Sequence, residues 1–372
     1  MAAGFSLKDH LFNVDTVGQL AREYAAVLPD FDTYGFVRDC LAGFDTRELM
    51  DRLDWIADQV GVRLAADFPT MADQIEAALP VPLDPTLKDD DFGHFIHAVP
   101  GILAVRHGMD HLDRALDLLR SATMRFSMEY YIRPFLNMHP KATLVRLHEW
   151  SRDENYHVRR LVSEGTRARL PWAKRIDLDP LVPVAFLDIL HADSTRYVTR
   201  SVANHLNDIA KFNPDLVLDR LAAWRAEGQQ TPKELAWMTR HALRTLIKDG
   251  HPGAMELLGY RADADVTLAE LKVTPAAVRI GDALEISLTL SAPADEPVIV
   301  DYVLYLRKAN GELAPKVFKL KDTAVKAGSG LVLKKTHKFK ANATTFTLYP
   351  GPQRVEIQVN GRAVGAVSFD LI

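Results

Sequence analysis

The chain of 372 residues carries 45 Lys and Arg against 49 Asp and Glu, a formal charge of -4, with 48% hydrophobic and 25% charged residues. Those proportions exclude a collagenous, disordered or membrane-embedded chain and suit two or three core-forming units. The single cysteine, Cys40, rules out an intramolecular disulfide scaffold and a Cys-based zinc site, and points to a reducing compartment.

The opening stretch MAAGFSLKDHLFNVDTVGQL has neither a long apolar core nor a basic leader, so a cytoplasmic location without signal peptide or membrane span is expected. Charge is unevenly spread: residues 1–140 hold 12 basic and 22 acidic side chains, residues 141–261 hold 19 and 15, and residues 262–372 hold 14 and 12. An acidic front argues against a protein that coats nucleic acid throughout, whereas a basic inner surface on a curved scaffold suits a polyanion. A solvated mixture of charges is the plain alternative.

From about residue 15 to 260 apolar residues recur at helical spacing, as in TVGQLAREYAAVL, TRELMDRLDWIADQV and LDRALDLLRSATM. Turns at Leu28-Pro29-Asp30, His139-Pro140 and Asn213-Pro214-Asp215 divide the region into short helices. A slide of 40 residues superposes DENYHVRRLVSEGTR on DSTRYVTRSVANHLN and then on KELAWMTRHALRTLI, so that Arg160, Arg200 and Arg240 coincide. Asp153 and Asp193 read as N-caps of the first two helices. Each follows another amphipathic segment, namely ATLVRLHEW, LVPVAFLDIL and PDLVLDRLAAW. A two-helix unit of this length predicts an α-solenoid of HEAT-like repeats over residues 1–261, with the second helices lining a concave face.

After residue 262 the pattern changes to alternation in DVTLAELKV, ALEISLTL, PVIVDYVLYL, LVLKKTHKF, RVEIQVN and AVGAVSF. Six or seven short strands predict an Ig-like β-sandwich over 262–372, making the fold multidomain, α then β. Lys316 to Lys340 holds eight lysines and one acid, Asp322. Lysine protecting a sandwich edge and a surface that contacts phosphates are equally good readings of that run.

The 100° helical step gathers polar stripes on the second helices: Arg160, Glu164 and Arg167; Arg200, Asn204, Asp208 and Lys211; Arg240, Arg244 and Lys248. Arg125, Glu129 and Arg133 repeat the spacing one helix earlier, where Pro134 ends it. The repeated arginine can instead pair with an aspartate of the next repeat and hold the stack. Glu164 and Asp208 are harder to explain on a phosphate-binding surface unless they act on something cationic. Trp172 stands in a basic turn with Arg167, Arg169, Lys174 and Arg175; a core position and a π face offered to a sugar or cationic base are the two readings. His107 and His111, one helical turn apart, lack the Glu of a zinc-protease motif, and Lys88 to Asp91 reads as a loop or helix start. No glycine-rich phosphate loop, nucleophile elbow or dinucleotide fingerprint occurs.

The segments FSLKDHLFNVDTVGQLA and SEGTRARLPWA, the helical repeats and the terminal Ig-like domain together resemble bacterial DNA alkylation repair glycosylases of the AlkC type. The resemblance covers nearly the whole chain and is most specific from Val162 to Ala173. It implies an enzyme that removes cationic N3-alkylated bases, 3-methyladenine and 3-methylcytosine, from duplex DNA held and bent in the concave face, without drawing the base into a pocket. On that basis Glu164, Asp208, Trp172 and Glu129 are the candidate catalytic residues. Arg160, Arg167, Arg169, Lys174, Arg200, Lys211, Arg240, Arg244, Lys334 and Lys335 are the candidate DNA contacts. No metal, no nucleotide cofactor and a monomer are expected. A HEAT-repeat scaffold for a protein partner and a catalytically silent DNA binder are the competing readings.

Overall fold

The structure is a computed structural model that describes residues 6–84, 86, 92–341 and 346–372; the acidic run Lys88 to Asp91 falls outside them. Among the described residues, sixteen α-helices precede eight β-strands. The helices are α1 Leu7–Leu11, α2 Val14–Ala25, α3 Thr33–Ala42, α4 Leu49–Gly61 and α5 Phe68–Ala78, then α6 Val99–His107, α7 Leu112–Thr123 and α8 Ile132–Met138. Next come α9 Pro140–Trp150, α10 Tyr156–Gly165, α11 Val184–Leu190, α12 Arg196–Ile209, α13 Pro214–Glu227, α14 Pro232–Ala242, α15 Arg244–Lys248 and α16 Pro252–Leu257. By its internal contacts the chain divides into two units, Met1–Phe212 with Ala223–Ala242, and Asn213–Ala222 with Leu243–Ile372.

Local chemistry accounts for many helix starts. Asn13 opens α2 with a reciprocal capping box, accepting from the Asp15 and Thr16 amides while its own amide donates to Thr16 Oγ1. Pro140, Pro214, Pro232 and Pro252 each occupy a first helical position, where a missing N–H costs nothing. Of the predicted turn prolines, Pro140 and Pro214 are therefore helix initiators, while Pro29 lies in the turn between α2 and α3.

The repeat is present as three helix pairs, α9/α10, α11/α12 and α13/α14, with α10 packed on α12 and α12 on α14. Val158, Leu161 and Val162 of α10 and Val198, Val202, Ala203 and Leu206 of α12 are buried. Asp153 and Asp193 are not the N-caps. Asn155 caps α10 by accepting from the His157 amide, and Thr195 stands at the N-cap of α12 without a side-chain cap bond. The two aspartates instead close turns one step earlier, accepting from the amides of Asn155 and Thr195. They also receive arginines of the preceding layer: Arg120 Nε donates to Asp153 at 2.7 Å and Arg159 Nε to Asp193 at 2.5 Å. Arg196 continues the series with a two-pronged contact to Glu234 at 2.7 and 2.5 Å.

Two proposed stripes and the histidine pair are broken by the backbone. Arg125 and Glu129 lie between α7 and α8 while Arg133 is in α8, so these three share no helix face. Arg240 belongs to α14, whereas Arg244 and Lys248 belong to α15. His107 ends α6 and His111 precedes α7, its ring stacked 5.9 Å from Phe68.

The strands are β1 Thr267–Thr274, β2 Ala277–Val278, β3 Ala283–Ser291, β4 Glu296–Arg307, β5 Leu313–Val325, β6 Leu331–Lys338, β7 Gly351–Val359 and β8 Arg362–Leu371. They form sheets of order β1-β3-β6 and β2-β8-β7-β4-β5, antiparallel except for the short β2/β8 pair. Leu284, Ile286, Leu288 and Leu290 face Val300, Tyr302, Leu304, Val355 and Ile357 in one core. The β7/β8 hairpin turns through Asn360 and Gly361, both at positive φ (48° and 78°), as a two-residue turn between twisted strands demands. Sequence reading missed β5 because Leu320 is bulged out of its ladder with β4, which shifts the phase of its alternation. β5 and β6 each lie at one edge of their sheet and carry most of the lysine run, as edge protection requires.

Candidate active site

The last turn of α10 and that of α12 bring Glu164 and Asp208 to a common partner. Arg167, in the turn that follows α10, donates from Nη1 to Glu164 Oε1 at 2.5 Å and from Nε to Asp208 Oδ2 at 2.9 Å. The series extends both ways. Arg160 Nη1 donates to Glu129 Oε2 at 2.8 Å and lies 3.9 Å from Glu164, while Lys211 Nζ reaches Asp208 Oδ1 at 3.2 Å. Three carboxylates thus alternate with three cations, and their side chains are only 15%, 6% and 4% exposed for Glu129, Glu164 and Asp208. Ser127 and Ser201 complete the set by donating to Glu129 and Glu164 at 2.8 and 2.6 Å.

Burial alone would raise the Glu164 pKa, but Arg160, Arg167 and the hydrogen bonds from Ser201 and Arg167 bring it below the ordinary glutamate value. Burial would lower the pKa of Arg160 and Arg167, and their carboxylates reverse that shift in both cases. Glu164 is therefore held ionised in a dry setting, where charge acts strongly.

Trp172 is not a core residue: it is 98% exposed and sits at φ 60°, a left-handed conformation costly for a side chain of its size. The turn that presents it is clamped from behind. Arg133, 1% exposed, donates to the carbonyls of Gly165 and Arg167 at 3.0 and 2.7 Å and to that of Lys174 at 2.7 Å, and the Tyr130 hydroxyl donates to Pro171 at 3.2 Å. A cavity of about 400 Å³ opens beside the indole, walled by Tyr130, Tyr131, Pro134 and Lys174.

The expected phosphate contacts divide into classes. Arg160 and Arg167 are committed to carboxylates. Arg169 and Lys174 are exposed on the Trp172 turn, and Lys211 is exposed beside Asp208. Arg200 lies over the Tyr197 ring at 5.9 Å, with Arg160 over the same ring at 4.6 Å. Arg240 and Arg244 are half-buried. Lys334 and Lys335 do not form a pair, because adjacent residues on β6 point to opposite faces; Lys334 is outward and 3.5 Å from Glu285, while Lys335 shares the face of the buried Leu333.

Several site residues escaped the sequence reading, among them Ser201, His205 and Tyr130. The available signal was in the repeat itself, whose register sets Ser201 against Leu161 and His205 against Gly165. Among the described residues no group of three or more His, Cys, Asp or Glu is arranged to hold a metal, and no helix is long and apolar enough to cross a membrane.

Residues 118–246 match the family described as "DNA alkylation repair enzyme", and residues 267–372 match "Uncharacterised protein YhaZ, C-terminal Ig-like domain". The chain is 30% identical to YhaZ of Bacillus subtilis (strain 168) across 97% of this chain and 98% of that protein. It is 35% identical to the Pseudomonas fluorescens alkylpurine DNA glycosylase AlkC, solved bound to DNA containing an abasic site analog, with a TM-score of 0.88 over 99% of this chain and 100% of that one. Full-length agreement in sequence and fold, on either side of the same α-to-β junction, shows that the chain belongs to the AlkC-type family of DNA alkylation repair enzymes with a C-terminal Ig-like domain.

Proposed function

We propose that the chain is a monofunctional DNA glycosylase that hydrolyses the N-glycosidic bond of cationic N3-alkylated bases, 3-methyladenine and 3-methylcytosine, in duplex DNA without conventional base flipping. The observations that carry this reading are the row of carboxylates interleaved with cations, Glu164 and Asp208 buried within it, and an exposed tryptophan on a clamped turn. An N3-alkylated base already bears positive charge, leaves readily and needs no strong general acid. What remains for the protein is to stabilise the oxocarbenium-like sugar and position a water. Glu129, the most exposed of the three carboxylates, is the first that a sugar cation meets, with Glu164 and Asp208 behind it. In this reading Arg160 and Arg167 keep the carboxylates charged and aimed, and Trp172 lies against the sugar or the lesion.

Arg169, Lys174, Lys211, Arg200, Arg240 and Arg244 supply the phosphate contacts. Residues 1–261, a HEAT-like concave repeat, bind and cleave; residues 262–372 widen the footprint through outward lysines such as Lys334 and favour bent DNA. The enzyme acts as a cytoplasmic monomer at the nucleoid, without metal or nucleotide cofactor. Incubation of the purified protein with methylated duplex DNA, followed by mass spectrometry of the soluble fraction, tests this. Free 3-methyladenine and 3-methylcytosine are expected. Retained DNA affinity with no released base marks a silent binder, and loss of both marks a protein scaffold.

A further inference from the structure

Glu164 is addressed from a second direction. Ser201 and His205 stand one turn apart on α12, and both face the Ser163-Glu164 step of α10: Ser201 Oγ donates to Glu164 Oε2 at 2.6 Å and lies 2.9 Å from Ser163 Oγ, while His205 Nδ1 lies 3.1 Å from the Ser163 carbonyl. All three side chains are buried, at 0%, 2% and 0% exposure for Ser163, Ser201 and His205. The preceding copy of the repeat fills the Ser201 and His205 positions without polar groups, whereas the following copy has His241 and Thr245 there. Leu161 is the counterpart of Ser201 and is fully buried; Gly165 is the counterpart of His205, and a Cβ there would stand 2.5 Å from Ile132. Polar side chains in those slots have to be satisfied, and the groups that satisfy them belong to Glu164 or its neighbour.

Proton counting gives the chain a direction. The Ser201 hydroxyl has a single proton, and the carboxylate is its strongest acceptor, so Ser163 donates in turn to Ser201. The Ser163 carbonyl can only accept, so His205 carries its proton on Nδ1 and leaves Nε2 bare; no partner for Nε2 occurs among the described residues. Burial, reinforced by Arg167, pushes the His205 pKa down to about 4, consistent with a neutral ring. We propose that Ser201 and His205 are positioning residues that fix the Glu164 carboxylate against Arg167, Ser201 through its hydroxyl and His205 by pinning the Ser163 peptide. This deepens the glycosylase reading and rests on it. The charged and titratable groups around Glu164 are Arg160 on α10, Arg167 in the following turn, Tyr197, His205 and Asp208 on α12, and Tyr130 and Glu129 from the segment before α8.

The test measures single-turnover base release from methylated duplex DNA as a function of pH for the wild type, Ser201→Ala, Ser201→Thr, His205→Leu and His205→Asn. Loss of one hydrogen bond to a charged group should slow Ser201→Ala by about 10-fold or more at neutral pH. Its half-saturating DNA concentration should hold, and the acidic limb of its profile should move to higher pH. Ser201→Thr, which keeps the hydroxyl, should restore the limb, and His205→Asn, which keeps an N–H donor, should exceed His205→Leu. A folded Ser201→Ala with the wild-type rate and limb overturns the proposal. If Ser201→Ala does not fold, Ser163→Ala removes the upstream donor instead, and a several-fold slowing with the same displacement is required. Absence of base release by the wild type refutes the glycosylase reading and not the clamp. In that event infrared titration of the Glu164 carboxyl decides, and an unmoved titration in the variant rejects the clamp.

Discussion

Arg159 and Arg160 are neighbours in sequence, yet they enter two different rows of ion pairs. Arg159 belongs with Arg120 and Arg196, each taking a carboxylate of the following layer: Asp193, Asp153 and Glu234. Arg160 belongs with Arg167 in the other row, where each arginine is shared between two carboxylates and Glu164 is shared between two arginines. A one-to-one rung can be replaced as a unit and holds neighbouring repeats in register. A shared row leaves no member removable alone, and gathering three acids serves no need of packing. The chemistry of each contact is the same, so the difference lies in how many anions are brought to one place.

That contrast is open to direct attack, and the largest effect should come from the shared row. Glu164→Gln should lower base excision by about 10²-fold or more. Because Arg160 and Arg167 lose a buried counter-charge, it should also cost about 3–5 kcal/mol, read by calorimetry. Asp193→Asn, in the rung row, should cost about 3 kcal/mol while leaving excision per folded molecule unchanged. Equal catalytic losses in the two variants would erase the distinction. Trp172→Ala should come next, slowing excision by about 10-fold with an unchanged melting temperature, since the indole has nothing to pack against in the free protein. A drop in melting temperature would return Trp172 to a structural role.

Acid should weaken the contributions of His205 and Glu164 in the same direction but over different pH windows. The folded His205 pKa lies below that of the unfolded chain, so stability is complete above pH 6.5 and is lost as pH falls towards about 4, where the unfolded chain takes up a proton that the buried ring refuses. Relative to His205→Asn, the wild type should lose no more than about 3 kcal/mol across that window and nothing further below it. Glu164 is likewise depressed, so its contribution holds above the ordinary value of 4.5 and disappears only as pH falls through its lower folded value. The smallest effect belongs to the sandwich edge. Lys334→Glu should reduce the slope of log affinity against log salt by about 1, and Lys335→Glu, on the opposite face of β6, should not.

What could be read before folding was local. Helical spacing located α2, α4, α7 and the three repeat pairs, alternation located six of the strands, and the residues of the active-site row were named individually. The phase slip at Leu320 hid β5, and Pro140 and Pro214 were read as interruptions where they start α9 and α13. The 100° step assembled stripes correctly only while a helix continued, and so failed for Glu129, whose place beside Arg160 depends on the irregular segment between α7 and α8.

The amino-acid order by itself determined the helices, strands and repeat period, because caps, turn residues and apolar spacing act over a few residues and need no distant partner. Tertiary structure alone decided which arginine meets which acid, that Trp172 stands in solvent on a turn held by Arg133, and that Ser201 and His205 turn towards Glu164. Apart from the local pairs of Arg160 and Arg167 with Glu164, those outcomes depend on contacts between groups more than 30 residues apart. In a buried setting a displacement of an ångström, invisible in any pattern of residue types, decides whether a charge is paired.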